Sequence, residues 1–108
     1  MDLGDLRTQI DAVDEQIVDL YERRMDICRQ VAEVKIETGK KVFDRDREKE
    51  KIAKVKSLTH TDFNKTGIGE LFEQIMSMSR KLQYKKLVEA GALGKLPFIR
   101  VDSLEKES

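Results

Sequence analysis

Residues 3–39 read LGDLRTQIDAVDEQIVDLYERRMDICRQVAEVKIETG, and this stretch decides the fold. Leu6, Ile10, Val13, Ile17, Leu20, Ile27, Val31 and Val34 recur in alternating steps of four and three, with one gap. That is the period of a helix with a single packed seam. Asp2 or Asp5 can cap its start, and Gly39 suits the left-handed residue that ends a helix. The helix then covers residues 3–38 and is about 54 Å long at 1.5 Å per residue. A compact domain of this size has a radius of gyration of only about 13 Å. The helix must therefore protrude from its own monomer, and its apolar seam needs a cover. A second copy of the chain is the simplest one.

The rest of the chain reads as two further helices. Residues 39–43 form a short loop, and Asp44 is placed to cap a short helix through about Leu58, with a thin apolar face of Ile52, Ala53 and Val55. After a turn at residues 59–63, a third helix runs from about Asp62 to Ala90. Ile68, Leu71, Phe72, Ile75, Met78 and Leu82 form its expected buried stripe, with Met76 and Met78 as core filler. Gly67 and Gly69 weaken its first turns, and Gly91 and Gly94 mark its end. Residues 1–90 are thus one all-α domain of three helices: one very long, one short, one medium-long. Residues 91–108 read as a tail or linker. Its run Leu96-Pro97-Phe98-Ile99-Arg100-Val101 is extended and apolar, since Pro97 argues against helix.

Composition removes several function classes. The 108 residues carry 21 basic and 21 acidic side chains, so a general electrostatic grip on nucleic acid or membrane is not expected. Any anion must be held by local placement of cations. One cysteine, Cys28, allows no intrachain disulfide, and with a single histidine, His60, it makes no Cys/His zinc site. No apolar run is long enough to span a bilayer. The start, Met1-Asp2-Leu3-Gly4-Asp5, lacks the basic and apolar regions of a signal peptide, so the expected location is cytoplasmic. No Ser/His/Asp set suggests a hydrolase and no glycine loop suggests nucleotide binding.

The gap in the seam is where chemistry enters. The pattern calls for an apolar residue between Leu20 and Ile27, and the chain has Arg24. A guanidinium on a packed seam is costly unless paired. It can serve as a register-fixing polar residue or snorkel to the edge. It can equally hold a carboxylate with its planar fork. Lys35, by itself, reads as a solvated lysine near a helix C-terminus, and Arg7 is as bland. Arg24 and Lys35 are about 16 Å apart along the axis, within reach of one small ligand through long side chains. Arg7 is about 25 Å from Arg24, too far on the same helix. In an antiparallel dimer, Arg7 of the partner subunit could close the site. Asp44, Arg47 and Glu48 open the second helix, where first-turn N–H groups can meet a hydroxyl or an anion. Surface salt bridging explains Arg47 and Glu48 without context. Ser79 and Gln83, one turn apart, are either boundary residues or neutral hydrogen-bond donors of a site.

The series Leu6-Arg7-x-x-Ile10-Asp11-x-x-Asp14-x-x-Ile17, Arg23-Arg24, Lys35, Asp44-x-x-Arg47-Glu48 and Ser79-x-x-x-Gln83 resembles the all-helical chorismate mutases over about residues 3–87. The tail resembles the linker that follows this domain in bifunctional chorismate mutase–prephenate dehydratases. At 108 residues there is no room for a dehydratase, so an excised domain or a stand-alone relative is expected. The resemblance implies an intertwined homodimer that rearranges chorismate to prephenate, in phenylalanine and tyrosine biosynthesis, without cofactor or metal. It implies that Arg24 and Arg7 of the partner subunit bind the two carboxylates. Lys35 would contact a carboxylate and the ether oxygen, and Gln83 would donate to that oxygen. Glu48 and the backbone at Asp44 would hold the ring hydroxyl, while Ser79 and Arg47 would support the carboxylate end. Two other readings stay open: an isochorismate-pyruvate lyase, with cations facing a similar dianion, and a non-enzymatic helical dimerisation module.

Overall fold

A computed structural model describes residues 2–92. Three helices follow in order: α1 (Leu3–Thr38), α2 (Arg45–Ser57) and α3 (Asp62–Ala92). The extended stretch expected at residues 95–108, with Gly94, lies outside the described residues. The long periodic stretch is one unbroken helix, with both ends closed by local hydrogen bonds. The Asp2 side chain accepts from Asp5 N at 2.8 Å. Gly39 takes the left-handed conformation, φ 73°, and its N–H reaches Lys35 O. An L-residue there would bring its Cβ against a carbonyl, which is why glycine ends α1. Asp44 caps α2 by accepting from Arg47 N at 3.1 Å. Thr61 caps α3, its hydroxyl accepting from Asn64 N at 3.1 Å. The third helix passes its expected end at Ala90 and takes Gly91 into its last turn.

Helix α3 packs against both of the others. It meets only the C-terminal half of α1, so residues 3–20 of α1 are exposed on every face. The molecule is accordingly elongated, 61 × 26 × 20 Å, with a radius of gyration of 17.6 Å. That exceeds the roughly 13 Å of a compact chain of 100 residues, as the length of the first helix requires. The buried apolar side chains are Ala32 of α1, Val42 of the α1–α2 loop, and Met76 and Ala90 of α3. The α1 seam is not among them: Ile10, Val13, Ile17, Leu20 and Ile27 are each more than half exposed in the single chain.

The stripe expected on α3 needs correction. Leu71 and Met78 are exposed, while Gly69, Met76, Ser79, Gln83 and Ala90 are buried. The buried face is turned from the expected one because it must admit two neighbouring helices and a set of polar groups. Small and polar residues serve there, and the larger hydrophobics lie on the flank. Gly69 illustrates the close approach: a Cβ on it would come within 2.4 Å of Lys56 Cε.

The glycines of α1 and α3 give a direct check of these assignments. Gly39→Ala is expected to destabilise the fold by about 1–2 kcal/mol through left-handed strain. Gly67 is helical with open space around its missing Cβ. Gly67→Ala is expected to stabilise by about 0.5–1 kcal/mol. Thermal unfolding of both variants at one protein concentration should show shifts of opposite sign.

Candidate active site

The site is assembled from the C-terminal half of α1, the loop behind it, the start of α2 and the middle of α3. On α1, Arg24, Cys28, Val31 and Lys35 follow one another at steps of four, three and four, so they share a face. This face is turned toward α3. The Arg24 guanidinium donates to Ser79 Oγ at 2.7 Å. The Ser79 hydroxyl in turn donates to Ile75 O at 3.0 Å, and the Cys28 thiol lies 3.5 Å from it. The break in the seam is therefore a polar contact that ties α1 to α3. Ser79 is only 6% exposed, so Arg24 reaches into the packed interface and does not snorkel out of it.

Lys35 works on the loop. Its ammonium donates to Val42 O at 2.7 Å and draws the buried Val42 back over the end of α1. That places Asp44, two residues on, beside the same space. The Asp44 carboxylate is taken up with capping, so one first-turn N–H of α2, that of Arg47, is already partnered. Glu48, one turn into α2, faces α3 and pairs with Arg80. The Arg80 guanidinium also sits over the Phe43 ring, 5.0 Å from its centroid.

Between these elements lies an open pocket of about 170 Å³. Seven of the eight residues singled out in the sequence line it: Arg24, Lys35, Asp44, Arg47, Glu48, Ser79 and Gln83. Arg7 does not; it stands on the exposed N-terminal half of α1, remote from this pocket within the chain. Sequence reasoning missed two charged members of the lining, Lys51 and Arg80, and four others: Cys28, Val31, Val42 and Met76. Lys51 is one turn beyond Arg47 and could have been found from that spacing. Arg80 is flanked by Ser79 and Lys81 and gives no periodic signal.

The electrostatic balance of the lining is unequal. Arg24, Lys35, Arg47, Lys51 and Arg80 face Asp44 and Glu48. The chain as a whole is neutral, so this excess of cations is local. Gln83 adds a neutral polar group at the α3 wall. It is 7% exposed, and its carboxamide oxygen is buried without a hydrogen-bond partner among the described residues. A buried acceptor left open costs about 1–3 kcal/mol, which a hydrogen-bond donor on a ligand could recover. Among the described residues no group of three or more His, Cys, Asp or Glu is arranged to hold a metal. No described helix is long and apolar enough to cross a membrane.

No curated protein and no solved structure matched the chain significantly. The family described as chorismate mutase type II matches residues 6–84, which takes in α1 from its first seam residue, all of α2, and α3 through Tyr84. That span is most of the chain, and the chain belongs to the type II chorismate mutases, an all-helical family of isomerases.

Proposed function

We propose that residues 1–90 form a homodimeric mutase domain that rearranges chorismate to prephenate in this pocket, in the cytoplasm, as a step toward phenylalanine and tyrosine. The observation that carries the reading is the convergence of seven residues, expected from their order in the sequence, on one cation-rich pocket. A downstream prephenate dehydratase domain in a longer protein is part of the same proposal.

The reaction is an intramolecular Claisen rearrangement: one carbon–oxygen bond breaks as one carbon–carbon bond forms. No proton need be moved, so the protein has two tasks. It must hold a flexible dianion in the reactive chair form. It must also stabilise charge that builds on the ether oxygen. Arg24, fixed by Ser79, takes one carboxylate with its planar fork. Lys35, fixed by Val42 O, contacts a carboxylate and the ether oxygen. Gln83 donates to the same oxygen from the α3 wall, Ser79 and Arg47 support the carboxylate end, and Glu48 with the backbone at Asp44 holds the ring hydroxyl. Arg7 of the partner subunit supplies the second carboxylate contact. The exposed α1 seam supports that assignment, because an antiparallel partner would cover the seam and carry its own Arg7 toward this pocket.

Glu48 distinguishes this from the lyase reading, because a carboxylate facing the pocket suits a ring hydroxyl donor. Prephenate as product supports the mutase; salicylate and pyruvate would support the lyase. A pure dimerisation module would leave the cation excess of the pocket without purpose.

Chorismate loss, followed spectroscopically with purified protein, should be enzyme-dependent. Arg24→Leu should lower kcat/KM by about 100-fold or more, the scale of losing one key electrostatic donor. If Arg24→Leu instead stabilised the dimer and kept turnover, the dimerisation module would be the better reading. The rate should be flat between pH 6 and 8, because the Gln83 amide donates a hydrogen bond at any ordinary pH. A steep loss with a single ionisation in that range would contradict the role given to Gln83. Finally, Arg7→Ala and Arg24→Leu chains, each inactive alone, should regain about a quarter of wild-type activity when unfolded and refolded together, since a mixed dimer keeps one intact site. No recovery, with dimers present in sedimentation, would show that both arginines serve a site from one chain.

A further inference from the structure

We infer that Arg80 is a positioning residue of this site: it holds Glu48 at the hydroxyl end of the pocket and keeps it off the substrate-binding cations. The inference rests on the mutase reading given above. No periodic pattern or motif singles out Arg80, and the roles proposed for the other pocket residues do not use it.

The need for such a residue follows from the charges. Glu48 is an anion in a pocket built to hold a dianion. Arg47 and Lys51 share its helix, Arg24 and Lys35 face it from α1, and Asp44 is the other acid of the lining. Left to itself, the Glu48 carboxylate would turn onto one of those cations. It would then occupy the place of a substrate carboxylate, and its own oxygens would no longer await the ring hydroxyl. Binding would be weakened at both ends of the substrate.

Arg80 answers this from behind. It comes from α3 and pairs with Oε1 of Glu48, leaving Oε2 to accept a hydroxyl. The pair is partly buried, with 17% of the Arg80 side chain and 24% of Glu48 exposed, so water screens it only in part. The guanidinium is itself held. Phe43, the last residue of the loop before the α2 cap, places its ring 5.0 Å from Arg80 Cζ. A cation over an aromatic face is attracted to it, and the stack limits the directions in which the guanidinium can point. Phe43, Arg80 and Glu48 thus form a chain from loop to α3 to α2. A lysine could supply the charge but neither the fork nor the planar stack.

The test is a double-mutant cycle of Arg80→Met and Glu48→Gln, with Arg80→Lys as the conservative variant. It is read as kcat and KM for chorismate, as prephenate affinity by calorimetry, and as Tm. Calorimetry keeps the cycle readable if Glu48→Gln turns over slowly. In the wild-type background Arg80→Met should raise KM by about tenfold with a smaller fall in kcat, and weaken prephenate to a similar degree. Arg80→Lys should recover part of the loss. In the Glu48→Gln background Arg80→Met should change neither quantity, because the group it restrains has lost its charge. Equal losses in both backgrounds would overturn the inference and make Arg80 an independent substrate contact. A lowered Tm with unchanged KM and prephenate affinity would also overturn it, leaving only a clamp between α2 and α3. A wild-type chain that did not turn over chorismate would remove the mutase reading, and this role with it; the other two outcomes leave the mutase reading standing.

Discussion

The hydrogen bond from Arg24 to Ser79 is the contact on which the rest of the arrangement depends. A guanidinium set into a helix interface must be answered there or the interface opens. Here the answer is a neutral hydroxyl and not a carboxylate. The distinction matters chemically. A carboxylate at position 79 would hold Arg24 as firmly and would also cancel its charge. A serine satisfies part of the fork and leaves the positive charge facing the pocket. Lys35 follows the same rule, with a backbone carbonyl, Val42 O, as its fixed partner. The helices are locked by groups that line the pocket, so packing and the local excess of positive charge rest on the same bonds.

This economy explains why the core of the single chain is lean. Six side chains are prominent in it, and two of them, Ser79 and Gln83, are polar. A face of α3 filled with leucine and isoleucine would pack α1 and α2 more tightly and would leave no pocket between them. Volume that a stability argument would fill is kept open and lined with charge. Compensation must then come from surface that the single chain leaves uncovered, and the α1 seam is the largest reserve of it.

How far the sequence could be read follows from the same division. Helix α1 was legible from end to end, because its seam is regular and its caps are the residues that local geometry demands: Asp2 before it and Gly39 after it. Seven of the pocket-lining residues are legible because their order is distinctive, and because Arg24 interrupts an otherwise apolar pattern. The buried stripe of α3 departs from its hydrophobic periodicity for a physical reason. Hydrophobic periodicity reports the most apolar face, and on α3 that face includes the exposed Leu71 and Met78. The face that meets α1 and α2 is the one given over to Ser79 and Gln83, whose polarity hides it. Arg80 was invisible for a related reason. Its partners, Phe43 and Glu48, are 37 and 32 residues away in the chain, and only the packing of three elements brings them together.

The position of Arg7 shows what a single chain can and cannot complete. It lies on the half of α1 that meets neither α2 nor α3, and a helix of 36 residues cannot bend to bring it back beside Arg24. Long helices curve gently, and sharp kinks require a proline, a bulge or an inserted group, none of which interrupts α1. Its rigidity therefore separates Arg7 from the pocket as firmly as it aligns Arg24 with Lys35. If Arg7 belongs to an anion site of this type, the same stiffness that forbids the contact within one chain favours it between two. An antiparallel pair of rigid helices brings the far end of one against the middle of the other, with the apolar seam setting the register. Charge and seam then specify one another: the dimer that covers the hydrophobic residues is also the one that brings a further cation to an already cationic pocket. In such a dimer the concentration of like charge would be unfavourable when empty and relieved when a dianion enters, which would tie ligand affinity to assembly.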